Sequence, residues 1–139
     1  MDPVTVKIGG EVIELPLIMN FATLKRIDEP MKASTEATLR LVDPNLGLAD
    51  KMQQTLRMQA ANIYMIAALL VPTRPELTGP EIEKRLLINI QDGTDERPGL
   101  TEAINRIFEA SGLIPKRGAP GSGENEPAPI DGAAPAIPV

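Results

Sequence analysis

Two short stretches near the N-terminus alternate apolar and polar residues. Val4–Ile8 and Glu11–Leu15 share this pattern, and Gly9-Gly10 separates them. A period of two predicts half-buried β-strands, and glycine readily adopts the positive φ angles of a tight turn. The sequence therefore predicts a β-hairpin. Because a lone hairpin is only marginally stable in water, we expect its apolar face to lie against helices.

The next segment has apolar residues at helical spacing. Asn20 is typical of a helix N-cap, and Phe21, Leu24 and Ile27 would share one inward face. Pro30 is predicted to end this helix, because proline lacks a backbone N–H and clashes with the preceding turn. The sequence thus predicts a short first helix.

The middle of the chain predicts a second helix from about Ser34 and then a long helix from about Leu48 to Leu70, separated by the Asp43-Pro44-Asn45 stop. The long helix has a continuous apolar stripe with spacings of three and four residues. This stripe consists of Leu48, Met52, Leu56, Ala60, Ile63, Ala67 and Leu70. Its second half is apolar on most sides, so we expect that half to form the buried centre of the domain.

Two further helices are predicted before residue 115. Thr78 is a suitable N-cap, Pro80 lies in the first turn, and Glu81 completes a capping box. Gly93 is expected to end this helix, and Gly112 lies where a left-handed C-cap would end the last one. The predicted inner faces of the two helices comprise Ile82, Leu86 and Ile90, and Leu100, Ala103, Ile104, Ile107 and Phe108.

Together these elements predict a mainly α fold, with a short N-terminal β-hairpin followed by a small bundle of four to five helices. The domain is expected to span residues 1–115. Residues 116–139 are rich in Pro, Ala and Gly and have little to bury, so the sequence predicts a disordered, flexible tail there. Because the chain has one Tyr, two Phe and no Trp, the core must be mainly aliphatic.

Charge and apolar patterning weigh against nucleic-acid and membrane partners. The net charge is −5 at pH 7, and Lys and Arg are adjacent only in pairs, whereas nucleic-acid binding needs a concentrated basic surface. The longest apolar run, residues 63–71, is far shorter than the roughly 20 residues that span a bilayer. The N-terminus has no signal-peptide pattern. We therefore expect a cytoplasmic protein that binds neither nucleic acid nor membrane.

The residue inventory also weighs against catalysis. The chain contains no His and no Cys, which excludes Ser-His and Cys-His nucleophile systems and thiolate metal sites. Carboxylate pairs such as Glu81 with Glu83 lie in polar turns, where solvated acids are expected. We therefore expect a protein that is not an enzyme and that has no cofactor and no metal site.

Methionine and leucine on the long helix are the candidate contacts for a partner. Methionine is adaptable and common on surfaces that accept varied apolar partners. The candidates are Met52, Leu56, Met58 and Met65. Met58 lies off the main stripe between polar neighbours, which favours it as an exposed apolar contact. The alternative for all these side chains is that they fill the core.

The order of these elements resembles the small tail assembly chaperones of long-tailed, siphovirus-like bacteriophages and prophages. A hairpin ending in Leu15-Pro16 leads into a helix of the Asn-Phe-Ala-Thr-Leu-Lys type at residues 20–25. The helix start at residues 77–83 and the closing segment Ile107–Gly112 fit the same pattern. The resemblance covers roughly residues 4–114, and its motifs are mostly structural signals.

This resemblance implies a non-enzymatic chaperone that binds and solubilises the tape measure protein during tail assembly. It implies contact with other phage tail proteins, action in the cytoplasm of the bacterial host and absence from the mature virion. Self-association is left open. The expected mode is an apolar groove beside the long helix that covers apolar helical segments of the client.

The family resemblance also implies a longer product made by a programmed frameshift near the end of the helical domain. Pro115-Lys116 codons can supply a slippery run, so we hypothesise that residues 118–139 belong only to the unshifted product. A gene without a slippery heptamer at codons 114–117 would refute this hypothesis.

Two other classes of function remain open from the sequence. One is a structural phage head-tail connector or tail completion protein, which would be found in purified virions. The other is a small regulatory adaptor or antitoxin-like binding protein, whose gene would lie beside a toxin or regulator.

Overall fold

A computed structural model describes residues 3–115 and confirms the mainly α fold with an N-terminal hairpin. The elements are β1 (Val4–Ile8), β2 (Glu11–Leu15), α1 (Phe21–Leu41), α2 (Leu48–Leu70), α3 (Gly79–Gln91) and α4 (Arg97–Ala110). Within the described residues there are four helices, because the two helices predicted between residues 21 and 42 are one. The predicted tail, residues 116–139, lies outside the described residues.

The chain divides into two compact units, residues 1–107 and residues 108–139. The first unit contains the hairpin, α1 to α3 and most of α4. Of the second unit, residues 108–115 are described. They form the last turn of α4 and its end, where the Leu113 N–H donates to the Phe108 carbonyl at 2.9 Å and Gly112 has a φ of 78°. The predicted left-handed cap at Gly112 is confirmed.

The hairpin has the predicted strand boundaries. β1 and β2 pair antiparallel, from Val4 opposite Leu15 to Ile8 opposite Glu11. Gly9 and Gly10 have φ values of 61° and 83°, and positive φ at both central residues is what a type I′ turn requires. One face of the hairpin is buried, through Val4, Val6, Ile8, Ile13 and Leu15.

A buried carboxylate holds the hairpin turn. Glu96 lies just before α4 and is 7% exposed. Its two carboxylate oxygens accept hydrogen bonds from the Gly9 N–H at 2.8 Å and the Gly10 N–H at 2.9 Å. The turn donors would otherwise lack a protein partner, and the carboxylate gains two charge-assisted bonds in return. Residues far apart in the chain are thereby fixed together.

The predicted end of the first helix at Pro30 is wrong, since α1 continues through it to Leu41. Proline inside a helix removes one hydrogen bond and costs roughly 3 kcal/mol. Packing on both sides of Pro30 offsets that cost: Ile27 and Ala37 are both buried, and good helix formers follow the proline. Tertiary packing here overrides the local stop signal.

The inward orientation predicted for Phe21 is also wrong. Asn20 caps α1 as predicted, and its side-chain oxygen accepts from the Thr23 N–H at 3.0 Å. The buried line of α1 then passes through Thr23 and Ile27, while Phe21 is 79% exposed. Phe21 lies two residues before Thr23, which places it on the opposite side of the helix.

The second half of α2 forms the centre of the core, as the sequence predicts. Helices α1 and α2 pack against each other, and their Glu36 and Arg57 side chains lie 3.7 Å apart. The buried residues of this half of α2 are Ala61, Asn62, Ile63, Met65, Ile66, Ala68, Leu69 and Leu70. The Asn62 side-chain amide donates to the Thr101 hydroxyl at 3.1 Å, which satisfies a buried polar group and joins α2 to α4.

Both ends of α3 follow the predicted signals in part. The Thr78 hydroxyl accepts from the Glu81 N–H at 3.3 Å, which confirms the N-cap. The reciprocal capping-box bond is not made among the described residues, and the Glu81 carboxylate instead accepts from Arg85 at 3.0 Å. At the other end Gly93 has a φ of 93°, and Thr94 and Gly93 donate back to residues 89 and 90 in a Schellman motif.

Gly79 in the first turn of α3 lies against the ring of Tyr64 on α2. A Cβ at residue 79 would meet three ring carbons well inside normal contact distance. We predict that Gly79→Ala lowers the free energy of unfolding by about 1–3 kcal/mol, because overpacking forces the two helices apart. Urea denaturation measures this change.

Gly99→Ala is the matched control, because Gly99 lies in the first turn of α4 with open space around it. Removing glycine's unfolded-state freedom there should raise stability by roughly 0.5–1 kcal/mol. Equal effects of the two substitutions would contradict the predicted contact with Tyr64.

Replacing Glu96 tests the hold on the hairpin turn. Glu96→Gln leaves one acceptor oxygen and puts an amide N–H₂ against a backbone donor. We predict a loss of about 1.5–3 kcal/mol in the free energy of unfolding. Hydrogen exchange at Gly9 and Gly10 should accelerate more than exchange in α2. The control is Glu29→Gln, a change of the same chemistry at an exposed site on α1, which should leave both measurements nearly unchanged.

Candidate binding groove beside the long helix

An apolar groove lies between α2 and α3. Its volume is about 320 Å³. The residues that line it are Leu56, Gln59, Ala60 and Ile63 from α2, Glu83, Leu86, Leu87 and Ile90 from α3, and Arg97 at the start of α4. Its walls are thus mainly aliphatic, with polar groups at the edges. We call this feature the α2–α3 groove.

The groove exists because α3 covers only part of the apolar stripe on α2. Helix α2 has 23 residues and α3 has 13, which correspond to about 35 Å and about 20 Å of helix. The start of α3 lies against Tyr64, and its later residues lie beside Leu56, so the two helices run antiparallel. The Schellman motif at Gly93 ends α3 three residues after Ile90, the last α3 residue that lines the groove.

The N-terminal part of the stripe on α2 is bare. Leu48, Met52 and Leu56 are 77%, 60% and 62% exposed. They repeat every four residues and therefore share one face of the helix. Ile63 continues the same face under α3 and is buried. We call Leu48, Met52 and Leu56 the bare stripe. It leads directly into the α2–α3 groove, where Leu56 belongs to both features.

Helix α3 supplies the second wall. Leu86 is buried at the base of the groove, Ile90 is half-buried, and Leu87 is exposed at the rim. Because exposure increases from Leu86 to Leu87, this wall presents apolar surface that solvent can reach. The groove therefore has the concave, apolar character of a site for a side chain or helix of another molecule.

One edge of the groove is set by an ion pair. The Arg97 guanidinium donates to both carboxylate oxygens of Asp95 at 2.8 Å, and also to the Gln59 side-chain oxygen at 3.2 Å. Hydrogen bonds from Arg97 lower the pKa of Asp95 to about 2, so this carboxylate is ionised at neutral pH. The charge of Arg97 is neutralised locally, and this edge is polar rather than strongly basic.

A second depression lies beside β2. Its volume is about 420 Å³, and it is lined by Val12, Ile13, Glu14, Pro16, Thr73 and Arg74. Arg74 lies 2.9 Å from a Glu11 carboxylate oxygen and also pairs with Glu76, and Arg85 reaches the other Glu11 oxygen at 3.1 Å. These pairs join the hairpin to α3. The depression is more polar than the α2–α3 groove, and its arginine is already paired.

The four predicted contact residues occupy different environments. Leu56 lines the α2–α3 groove, and Met52 lies one turn away on the bare stripe. Met58 is half-buried, and its sulfur accepts a hydrogen bond from the Thr38 hydroxyl of α1 at 3.4 Å. Met65 is 4% exposed. Met65 is therefore in the core, within the half of α2 that was expected to be buried. Met58, expected as an exposed apolar contact, is only half exposed, because it packs on the side of α1.

Sequence reasoning missed the contribution of α3 to the site. Leu86 and Ile90 are correctly placed on an inner face, but they face a groove rather than a closed core. Leu87 lies outside that pattern, and its adjacency to Leu86 was the only signal of a wider apolar wall. Arg97 was missed because a charged residue at a helix start is common.

The charged side chains among the residues that line the groove are Glu83 and Arg97. In residues 3–115 no group of three or more Asp and Glu side chains is placed to hold a metal ion. Over the same residues, no helix is long and apolar enough to cross a membrane. Comparisons of the chain with protein-family models, curated proteins and solved structures gave no match.

The Glu11 ion pairs generate a pH-dependent prediction. Hydrogen bonds from Arg74, with a smaller contribution from Arg85, hold the pKa of Glu11 below its ordinary value of 4.5. A lowered folded-state pKa stabilises the fold above the unfolded-state value, and this stabilisation is lost as pH falls through the folded-state pKa. Glu11→Gln should therefore be less stable than the wild type at neutral pH, and the difference should disappear in acid.

Urea denaturation at intervals between about pH 7 and about pH 3 measures this difference. Glu14→Gln is the control, because Glu14 lies on the same strand and has no ion pair within residues 3–115. A stability difference for Glu11→Gln that stays constant over the whole range would argue against the ion pairs as its cause.

Proposed function

We propose that this protein binds an apolar helical segment of another protein in the α2–α3 groove and along the bare stripe. The observation that carries the proposal is the continuity of these two surfaces. Leu48, Met52 and Leu56 lie on one face at a spacing of four residues and lead to Leu86, Leu87 and Ile90. An amphipathic helix with apolar residues at i, i+4 and i+7 is the ligand that such a surface fits.

The proposed activity is that of a holdase. Exposed apolar helices of an unassembled client associate with one another in water, and covering them prevents that association. A holdase needs an apolar binding surface and no catalytic group. The absence of His and Cys from the chain is compatible with that activity. The net charge of −5 keeps the loaded protein soluble.

We further propose that the client is the tape measure protein of a long-tailed phage or prophage, and that this chain is its tail assembly chaperone. The support is the resemblance over roughly residues 4–114. An apolar groove beside the long helix, which the resemblance leads us to expect, is a second observation in its favour. Such a chaperone acts in the cytoplasm of the bacterial host. A structural connector would be retained in purified virions, and a chaperone would be absent from them.

Leu56→Gln tests the groove directly. Leu56 is exposed, so the substitution should leave the fold intact, and it removes apolar surface where groove and stripe meet. We predict about tenfold weaker binding of an amphipathic helical peptide, since burying a leucine side chain contributes about 1.5 kcal/mol or more. Fluorescence anisotropy of a labelled peptide measures the affinity.

The matched control is Leu39→Gln, which changes an equally exposed leucine on α1 outside the groove. It should leave affinity within about twofold. Co-expression with a phage tape measure protein extends the test to the proposed client. If wild type and Leu56→Gln give the same amount of soluble client, the chaperone proposal fails.

A further inference from the structure

The edge of β2 that faces away from β1 carries unused backbone hydrogen-bonding groups, and we call it the outer edge of β2. Ile8 and Glu11 flank the two-residue turn and pair with each other. In such a hairpin these two residues exchange both ladder bonds, and only every second residue of each strand then bonds its neighbour. The N–H and C=O groups of Val12 and Glu14 therefore point away from β1. Within residues 3–115 these four groups have no hydrogen-bond partner.

The depression beside β2 lies at this edge. Three consecutive residues of β2, Val12, Ile13 and Glu14, line it. Consecutive side chains of a strand point to opposite faces, so a depression that touches all three lies along an edge and not over one face. The other edge of β2 is occupied by β1, and no β1 residue lines the depression. Its volume of about 420 Å³ falls in the range of ligand-binding clefts.

The outer edge of β2 is short, because Pro16 ends it. Pro16 follows Val12 and Glu14 at the same spacing of two residues, but proline has no N–H to donate. The edge therefore offers two N–H donors and two C=O acceptors. Their spacing matches the backbone of an extended segment, and an unpaired edge of this kind is a template for the addition of a strand.

The charge at this edge favours a basic partner. Glu14 is exposed and has no ion pair within residues 3–115, whereas Glu11 is paired with Arg74 and Arg85. A second copy of the chain would place two Glu14 carboxylates on the same face of the joined sheet, and each copy carries a net charge of −5. Like charges on neighbouring strands are destabilising, whereas a Lys or Arg opposite Glu14 forms a favourable cross-strand pair.

We propose that the outer edge of β2 binds an extended, basic segment of another protein as a third, antiparallel strand. The backbone of this segment exchanges hydrogen bonds with Val12 and Glu14. A Lys or Arg lies opposite Glu14, and a β-branched residue two positions later lies opposite Val12, which is 65% exposed. The depression shares no lining residue with the α2–α3 groove, so the proposal does not rest on the proposed function of that groove.

A designed peptide tests the added strand. The probe has about nine residues, is blocked at both ends and has the central sequence Lys-Val-Val, flanked by Thr and Ser. The Lys is placed opposite Glu14 and the second Val opposite Val12. When the free peptide is at ten times its Kd, hydrogen exchange at the Val12 and Glu14 amides should slow about tenfold. Exchange in α2 should stay unchanged, and NMR measures both.

N-methylated peptides provide the matched control. Methylation of the Lys and second Val nitrogens removes the two donors that face β2 and should weaken binding at least about tenfold. Methylation of the first Val nitrogen, which points away from β2, should leave Kd within about threefold. Equal losses in the two peptides would overturn the proposal.

A charge reversal tests the preference for a basic segment. Glu14→Lys should weaken binding of the Lys-Val-Val peptide roughly two- to fivefold and strengthen binding of a Glu-Val-Val peptide by a similar factor. Glu29→Lys is the control, because it makes the same change in net charge at an exposed site on α1. Equal effects of the two reversals would overturn the proposal of a basic partner.

The remaining outcomes are also decisive. No peptide binding, or binding that leaves exchange at Val12 and Glu14 unchanged, overturns the proposal. Slower exchange at these amides as the protein concentration rises without peptide would assign the edge to a second copy of the chain and would overturn it too. Leu56→Gln should leave the affinity for this peptide within about twofold, so failure at this edge and failure of the α2–α3 groove are distinguishable.

Discussion

The difference in length between α2 and α3 is the constraint on which the rest of the structure depends. A helix with a continuous apolar stripe must bury that stripe against other elements. In this protein the stripe on α2 is exposed at Leu48, Met52 and Leu56, and Ile90 is the last α3 residue that lines the groove with Leu56. A left-handed glycine at Gly93 fixes the end of α3. The uncovered part of α2 is therefore a property of the fold and not of one side chain.

Other elements hold α3 in place so that the groove keeps its shape. Gly79 allows the start of α3 to pack directly on Tyr64 of α2. Ion pairs of Arg85 with Glu81 and Glu11 tie α3 to the hairpin. The hairpin turn is in turn bound by Glu96, just before α4. None of the residues in these contacts lines the groove.

Local sequence signals predicted most of the fold, but they could not predict contacts between residues far apart in the chain. The strands, the Asn20 and Thr78 caps and the glycine ends follow from the chemistry of a few adjacent residues. Pro30 was misread because a local stop signal competes with packing on α2, which acts along the whole helix. Glu96 could not be recognised, since its partners are more than 80 residues away in the sequence.

The candidate site was predictable only in part, for a related reason. Periodicity identifies the stripe on α2, but it does not show how far a neighbouring helix extends along that stripe. Leu56 and Met52 were correctly placed on an apolar face, and Met65 lies in the half of α2 that was predicted to be buried. The role of Leu87 in the groove could be recognised only once the position of α3 was known.

The central claim is that a client covers the bare stripe, and methionine methyl groups report on it most directly. In a ¹³C-methyl-methionine NMR spectrum, client binding should shift or broaden the signal of Met52 on the stripe. The signals of buried Met65 and of Met19, which is exposed outside the stripe, should change little. A client that binds while Met52 stays unchanged, or that perturbs Met19 instead, would contradict the account.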